Sequence, residues 1–145
     1  MSIFFEPIDV EQINIRAKNS LSDHLGIVFT EIGEDFVAAT MPITEKTLQP
    51  MGIMHGGASA ALCETVASAA ANFCVDMDKF VCVGLEINVN HLRPVAKGIV
   101  KAIAKPHHIG RKTQVWEIKI FNEEEKLVTI SRLTVSVIER STLSK

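Results

Sequence analysis

Hydrophobic positions recur along this chain with two periods, separated by one long apolar block. Residues 10–21 set Ile13, Ile15 and Leu21 among polar neighbours, which predicts a short amphipathic helix. Residues 26–43 read as two strands about the turn Gly33-Glu34-Asp35. Gly56-Gly57 then opens an Ala-rich stretch with a strong helix composition through about Phe73. Beyond it the period falls to two. Val83, Leu85, Ile87 and Val89 alternate with Gly84, Glu86, Asn88 and Asn90, predicting a half-buried strand that stops by Pro94. Residues 99–105 (alternating with lysines), 113–121 and 127–138 supply three more strands. Lys97-Gly98, Ile109-Gly110 and residues 122–125 are the turn signals.

Two strands, one hydrophobic helix and four further strands describe an α+β fold, an antiparallel sheet of five to six strands wrapped around a long central helix. A helix this apolar on all sides calls for cover on more than one face. The 145 residues show no repeat or linker, so a single domain spanning 1–145 is expected. With 47% apolar and 22% charged residues the chain is a folded type, and its net charge of −2 gives no attraction to nucleic acid or an anionic membrane. The amino terminus lacks the basic region and apolar run of a secretory signal, and the Ala-rich block is too short and small-sided to span a membrane. Cys63, Cys74 and Cys82 are odd in number and lack CxxC spacing, which reads as reduced thiols in a cytoplasmic protein.

The candidate chemistry lies in the apolar block. From Thr47 to Val75, Glu64 is the only acid and there is no Lys or Arg. A lone carboxylate in such surroundings is costly unless it serves a cleft. The glycines before the helix offer unpaired N–H groups at a positive dipole end, suited to a developing oxyanion. Gly56 and Gly57 permit close approach of a ligand. His55 and Gln49 stand just upstream, and Ser68 falls one turn after Glu64 on the same face. Gly56 and Glu64 are eight residues apart, about 12 Å along a helix axis at ~1.5 Å per residue. One carbonyl does not reach both within one chain, so joint action implies two subunits across a two-fold axis. Spacing alone leaves blander readings open: His-Gly-Gly as a plain helix start, Glu64 facing solvent, Ser68 as packing.

The stretches Gln49-Pro-Met-Gly-Ile-Met-His-Gly-Gly-Ala-Ser59, Val83-Gly-Leu-Glu-Ile-Asn-Val-Asn-His-Leu-Arg-Pro94 and Gly110-Arg-Lys-Thr-Gln-Val-Trp-Glu-Ile118, with the Glu64 helix, resemble the hotdog-fold acyl-CoA thioesterases. The resemblance covers residues 4–138 and favours the branch with 1,4-dihydroxy-2-naphthoyl-CoA, 4-hydroxybenzoyl-CoA and enterobactin proofreading thioesterases. It implies hydrolysis of an aryl- or small acyl-CoA. Glu64 is then nucleophile or general base, and the Gly56 N–H polarises the thioester carbonyl. Gln49 and His55 flank that carbonyl and the water, Ser68 pairs with the acid, and His91 lies near the acyl end.

Arg93, Lys105, Arg111, Lys112 and Arg132, with Gly57 beside the helix start, are candidates for holding CoA and its phosphates. The resemblance further implies a homodimer, assembled into a dimer of dimers, with CoA as part of the substrate and no other cofactor. His91, His107 and His108 lack a metal-ligand framework. The alternatives are a non-catalytic acyl-CoA-binding module and an enoyl hydratase or dehydratase; the His-Phe-Pro and Asp-plus-His signatures usual in the latter are missing from the sequence.

Overall fold

A computed structural model describes residues 1–144. The elements run α1 (Val10–Arg16), α2 (Leu21–His24), β1 (Val28–Ile32), β2 (Val37–Pro42), α3 (Gly56–Phe73), β3 (Phe80–His91), β4 (Ile99–Ile109), β5 (Thr113–Phe121) and β6 (Leu127–Glu139), closed by a 3₁₀ turn at Arg140–Ser144. The six strands form one antiparallel sheet in the order β1-β2-β4-β5-β6-β3. β3 is thus an edge strand although it precedes β4 in the chain. No helix is long and apolar enough to cross a membrane among the described residues.

The sheet curves around α3, which touches β2, β3, β4, β5 and β6. The buried positions of α3 come in pairs one turn apart: Ala58 and Ser59, Leu62 and Cys63, Val66 and Ala67, Ala70 and Ala71. That is a single seam at helical spacing. Small residues on both sides, with Ala39, Ala102 and Ala104 on the strands, let the helix lie close to the sheet. Trp116, Ile118, Ile120 and Leu133 fill the remaining volume. The expectation of cover on several faces holds only for this seam. Glu64, Thr65, Ser68 and Ala69 on the other side are half-buried.

Two local departures from the sequence reading have identifiable causes. The helix expected over residues 10–21 is two: Asn19 takes a left-handed conformation at φ 62°, which Asn tolerates, and the Ser20 hydroxyl caps a new turn at the Asp23 N–H. In β3 a bulge falls between Gly84 and Glu86, so Gly84 pairs with Val135 and Glu86 with Thr134. Leu85 is expelled from the ladder and lies 62% exposed, instead of continuing the buried alternation.

Two polar side chains, Gln114 and the half-buried Asn72, fix where the helix ends against the sheet. The Trp116 indole donates to Gln114 Oε1 at 2.9 Å, and Gln114 Nε2 donates to the Ala71 carbonyl at 3.3 Å. Asn72 clasps the Cys82 peptide from both sides, accepting from its N–H at 2.8 Å and donating to its carbonyl at 3.2 Å. Gln114→Leu leaves the buried indole N–H unpaired, and urea denaturation should register a loss of about 1–3 kcal/mol. A midpoint equal to that of the parent protein would show that this pair contributes nothing to the core.

Candidate active site

Residues 44–55 are tied down before α3 starts. The Thr47 hydroxyl, fully buried, donates to the Pro42 carbonyl at 3.1 Å. His55 N–H donates to the Thr47 carbonyl at 2.8 Å, and Met54 N–H to that of Val95 at 2.7 Å. His55 is the N-cap of α3: its Nδ1 accepts from the Gly57 N–H at 2.8 Å, which in the neutral ring leaves the proton on Nε2. Ala58 N–H returns to the His55 carbonyl at 2.9 Å. Among the described residues the Gly56 N–H has no protein acceptor, so it is the free donor at the helix start.

His91, at the end of β3, stands over this point. Its Nδ1 is 3.2 Å from the Ser59 hydroxyl, which also donates to the Gly56 carbonyl at 2.9 Å. A side chain on Gly56 would put its Cβ 3.0 Å from His91 Nε2, so the glycine leaves room for the imidazole. Gln49, Gly56, His91, Arg93 and Thr129 line one open cleft of about 330 Å³. The Gln49 carbonyl oxygen of the side chain accepts from the Met51 N–H, which turns its amide toward the loop. Ser59 went unnoticed in the sequence because a buried Ser in an Ala-rich helix looks like packing.

Glu64 and Ser68 lie apart from that cleft. The Ser68 hydroxyl donates to Glu64 Oε1 at 2.9 Å, as the one-turn spacing implied. The carboxylate is half-buried and reaches the edge strand at Gly84. Gly84 and Asn72 are site-shaping residues that sequence reasoning missed. An interior strand glycine was the available signal.

The cations do not form one cluster. Arg93 borders the Gly56 cleft. Arg111 and Lys112 are exposed in the β4–β5 turn, at the far ends of the strands, where Gln114 pairs with Val135 and Val135 with Gly84. Lys105 is engaged with Asp35 at 3.4 Å and lies over the Phe36 ring at 5.6 Å. Arg132 is exposed between buried Ser131 and Leu133, on the outer face of the sheet opposite Glu117. Lys105 and Arg132 therefore do not share a face with the cleft. Among the described residues no three His, Cys, Asp or Glu side chains converge as metal ligands.

A single long helix in a curved antiparallel sheet, with a free N–H at its start and a carboxylate two turns on, is the frame of a hotdog thioesterase. The profile of the Thioesterase superfamily matches residues 51–129. A Vibrio cholerae protein bearing the name of an esterase is 52% identical over 137 residues, 94% of this chain and 91% of its own. The Escherichia coli 1,4-dihydroxy-2-naphthoyl-CoA hydrolase is 41% identical over 136 residues, covering 94% of this chain and 99% of the relative. The crystal structure of a Haemophilus influenzae thioesterase superposes with a TM-score of 0.92 at 47% identity, covering 94% of this chain and 95% of that one. The chain belongs to the Thioesterase superfamily and is a thioester hydrolase.

The thiols play no part in this arrangement. Burial pushes Cys63 and Cys74 up to about 12 and Cys82 up to about 11, and all three are unbridged. They stay protonated in the folded state while unfolded thiols ionise near pH 8.5. Above that point the unfolded state binds fewer protons, so stability should fall as pH rises from about 9 toward 12. Urea midpoints taken across that range check the sign, and a midpoint that climbs with pH contradicts it.

Proposed function

We propose that the chain hydrolyses an aryl- or small acyl-CoA, with the Gly56 N–H of one copy and Glu64 of a second acting on the same thioester carbonyl. The observation that carries this reading is the division of the chemistry along α3. The free Gly56 N–H marks the start of the helix, and Glu64 is held against the edge strand about 12 Å further on, at ~1.5 Å per residue.

β3 has an open edge, and two points along it carry the two halves: Gly84 near its middle beside Glu64, His91 at its end beside Gly56. Antiparallel pairing of two β3 edges with Gly84 opposite the partner's His91 brings the acid of each copy to the helix start of the other. The product is a two-fold dimer with two shared sites, which we place in the cytoplasm as a dimer of dimers. Arg93 from one end and Arg111 and Lys112 from the other then converge on the region where CoA phosphates would lie. The substrate class follows the E. coli relative, whose name specifies an aryl-CoA.

In the reaction, the carbonyl oxygen gains negative charge as the tetrahedral intermediate forms, and the Gly56 N–H at the positive helix end stabilises it. Glu64 either attacks the carbonyl carbon, giving a mixed anhydride that water then cleaves to free acid and the Glu64 carboxylate, or takes the proton of the water that attacks. In both courses the C–S bond breaks, and CoA leaves as the thiolate and takes up a proton. Gln49 and His55 orient the carbonyl and the water, His91 meets the acyl side, and Ser68 holds the acid. Water is the only co-reactant.

Glu64→Gln should lower thiol release by roughly 10²–10⁴-fold with little change in KM; an undiminished rate overturns the reading. Gly56→Pro removes the donor at the first helical position, which the His55 ψ of 132° accommodates, and its ring also presses on the His91 imidazole, which a Cβ there would approach to 3.0 Å. It too should be inactive. Mixing refolded Glu64→Gln and Gly56→Pro subunits should restore about a quarter of the activity, since half of the dimers are hybrids with one intact site of two. Absence of any recovery shows that the site is not shared.

A further inference from the structure

Gly84 is the position where the fold makes room for the acid. An added Cβ there would lie 2.7 Å from Glu64 Oε1, 3.5 Å from its carboxyl carbon and 3.7 Å from Oε2. The first distance is below any normal contact; the last is ordinary van der Waals contact. Oε1 is therefore held between the bare Gly84 backbone and the Ser68 hydroxyl, which donates to it at 2.9 Å. Oε2 accepts from no donor among the described residues and points further from the strand.

Two other features hold the strand in place. Asn72 grips the Cys82 peptide two residues before Gly84, and the bulge follows directly after it. The bulge ejects Leu85 and interrupts the ladder beside the acid. Glycine inside a strand weakens it through lost packing and greater chain entropy. Here the same absence of a side chain admits a carboxylate.

We propose that Gly84 is a positioning residue for the thioester hydrolysis: it seats Glu64 so that Oε1 is the anchored oxygen and Oε2 the working one. This rests on the assignment of Glu64 as the reacting carboxylate. The atom that a Cβ would meet is the end of a flexible side chain, so the fold gives way cheaply while the acid moves. A displacement of about 1 Å at a reacting group costs on the order of 10²-fold in rate.

The test is steady-state thiol release from an aryl-CoA by four forms of the full chain: wild type, Gly84→Ala, Glu64→Asp and the double variant. Gly84→Ala should lose at least about 10-fold in kcat with KM within about 3-fold. The aspartate is one methylene shorter and withdraws from the added Cβ. In that background Gly84→Ala should therefore cost less than about 2-fold, a non-additivity that a general strand defect does not produce. If Gly84→Ala alone folds poorly, the double variant should recover its melting temperature.

Full kcat in Gly84→Ala overturns the proposal. So does an equal loss in both backgrounds, or a fold that the shorter acid does not restore. An undiminished rate in Glu64→Gln removes the premise instead, which separates the two failures.

Discussion

The site depends on how closely α3 lies on the sheet. Its seam is built from Ala58, Ala67, Ala70 and Ala71 against Ala39, Ala102 and Ala104, with Leu62 and Val66 filling between them. Close-packed interiors leave no slack for an extra methylene, so the helix axis is set by these small side chains. α3 carries the free Gly56 N–H at its first residue and Glu64 two turns later. A helix is a stiff rod, so the two cannot be adjusted independently. Any repacking that lifts or slides α3 moves both, and substrate geometry is sensitive to shifts of about 1 Å.

The second constraint is the edge strand. An unpaired edge of twelve residues is a liability unless something covers it. β3 has a bulge and exposed Glu86 and Asn90, which discourage indiscriminate pairing without preventing one specific partner. It also carries both contacts that connect strand to chemistry, Gly84 to Glu64 and His91 to Gly56. The half-buried side of α3, with Glu64, Thr65 and Ser68, is left in the same condition as the strand edge. In the proposed dimer, the approach of a second copy along β3 covers both surfaces at once.

Much of this was legible in the sequence, and the rest was hidden for physical reasons. Period-two patterning located β4, β5 and β6, and Ala-rich composition located α3, because both signals are local. The Ser68–Glu64 bond followed from one-turn spacing. The break at Asn19 was not legible, since α1 and α2 share a continuous amphipathic pattern and only backbone conformation separates them. The bulge that expels Leu85 was equally invisible, because register is decided by the neighbouring strand β6. The placement of the cations was hidden for a related reason. Strand position says which residues are near an end, but the face and partner of Lys105 and Arg132 come from register and from Asp35 and Glu117.

Glu64 is a half-buried acid in the apolar block, and it has no cation beside it among the described residues. Asp35, Asp76, Glu31, Glu117 and Glu124 each have a Lys within 4.0 Å. Glu64 has a hydroxyl and a glycine. A Lys or Arg there would satisfy both oxygens, and its charge would compete with the substrate carbonyl for the same lone pairs. A single neutral donor on Oε1 orients the carboxylate yet leaves the second oxygen uncommitted. The cost of half-burying an unpaired charge is thus the counterpart of its usefulness. The apolar block of this chain accordingly holds one acid and no Lys or Arg.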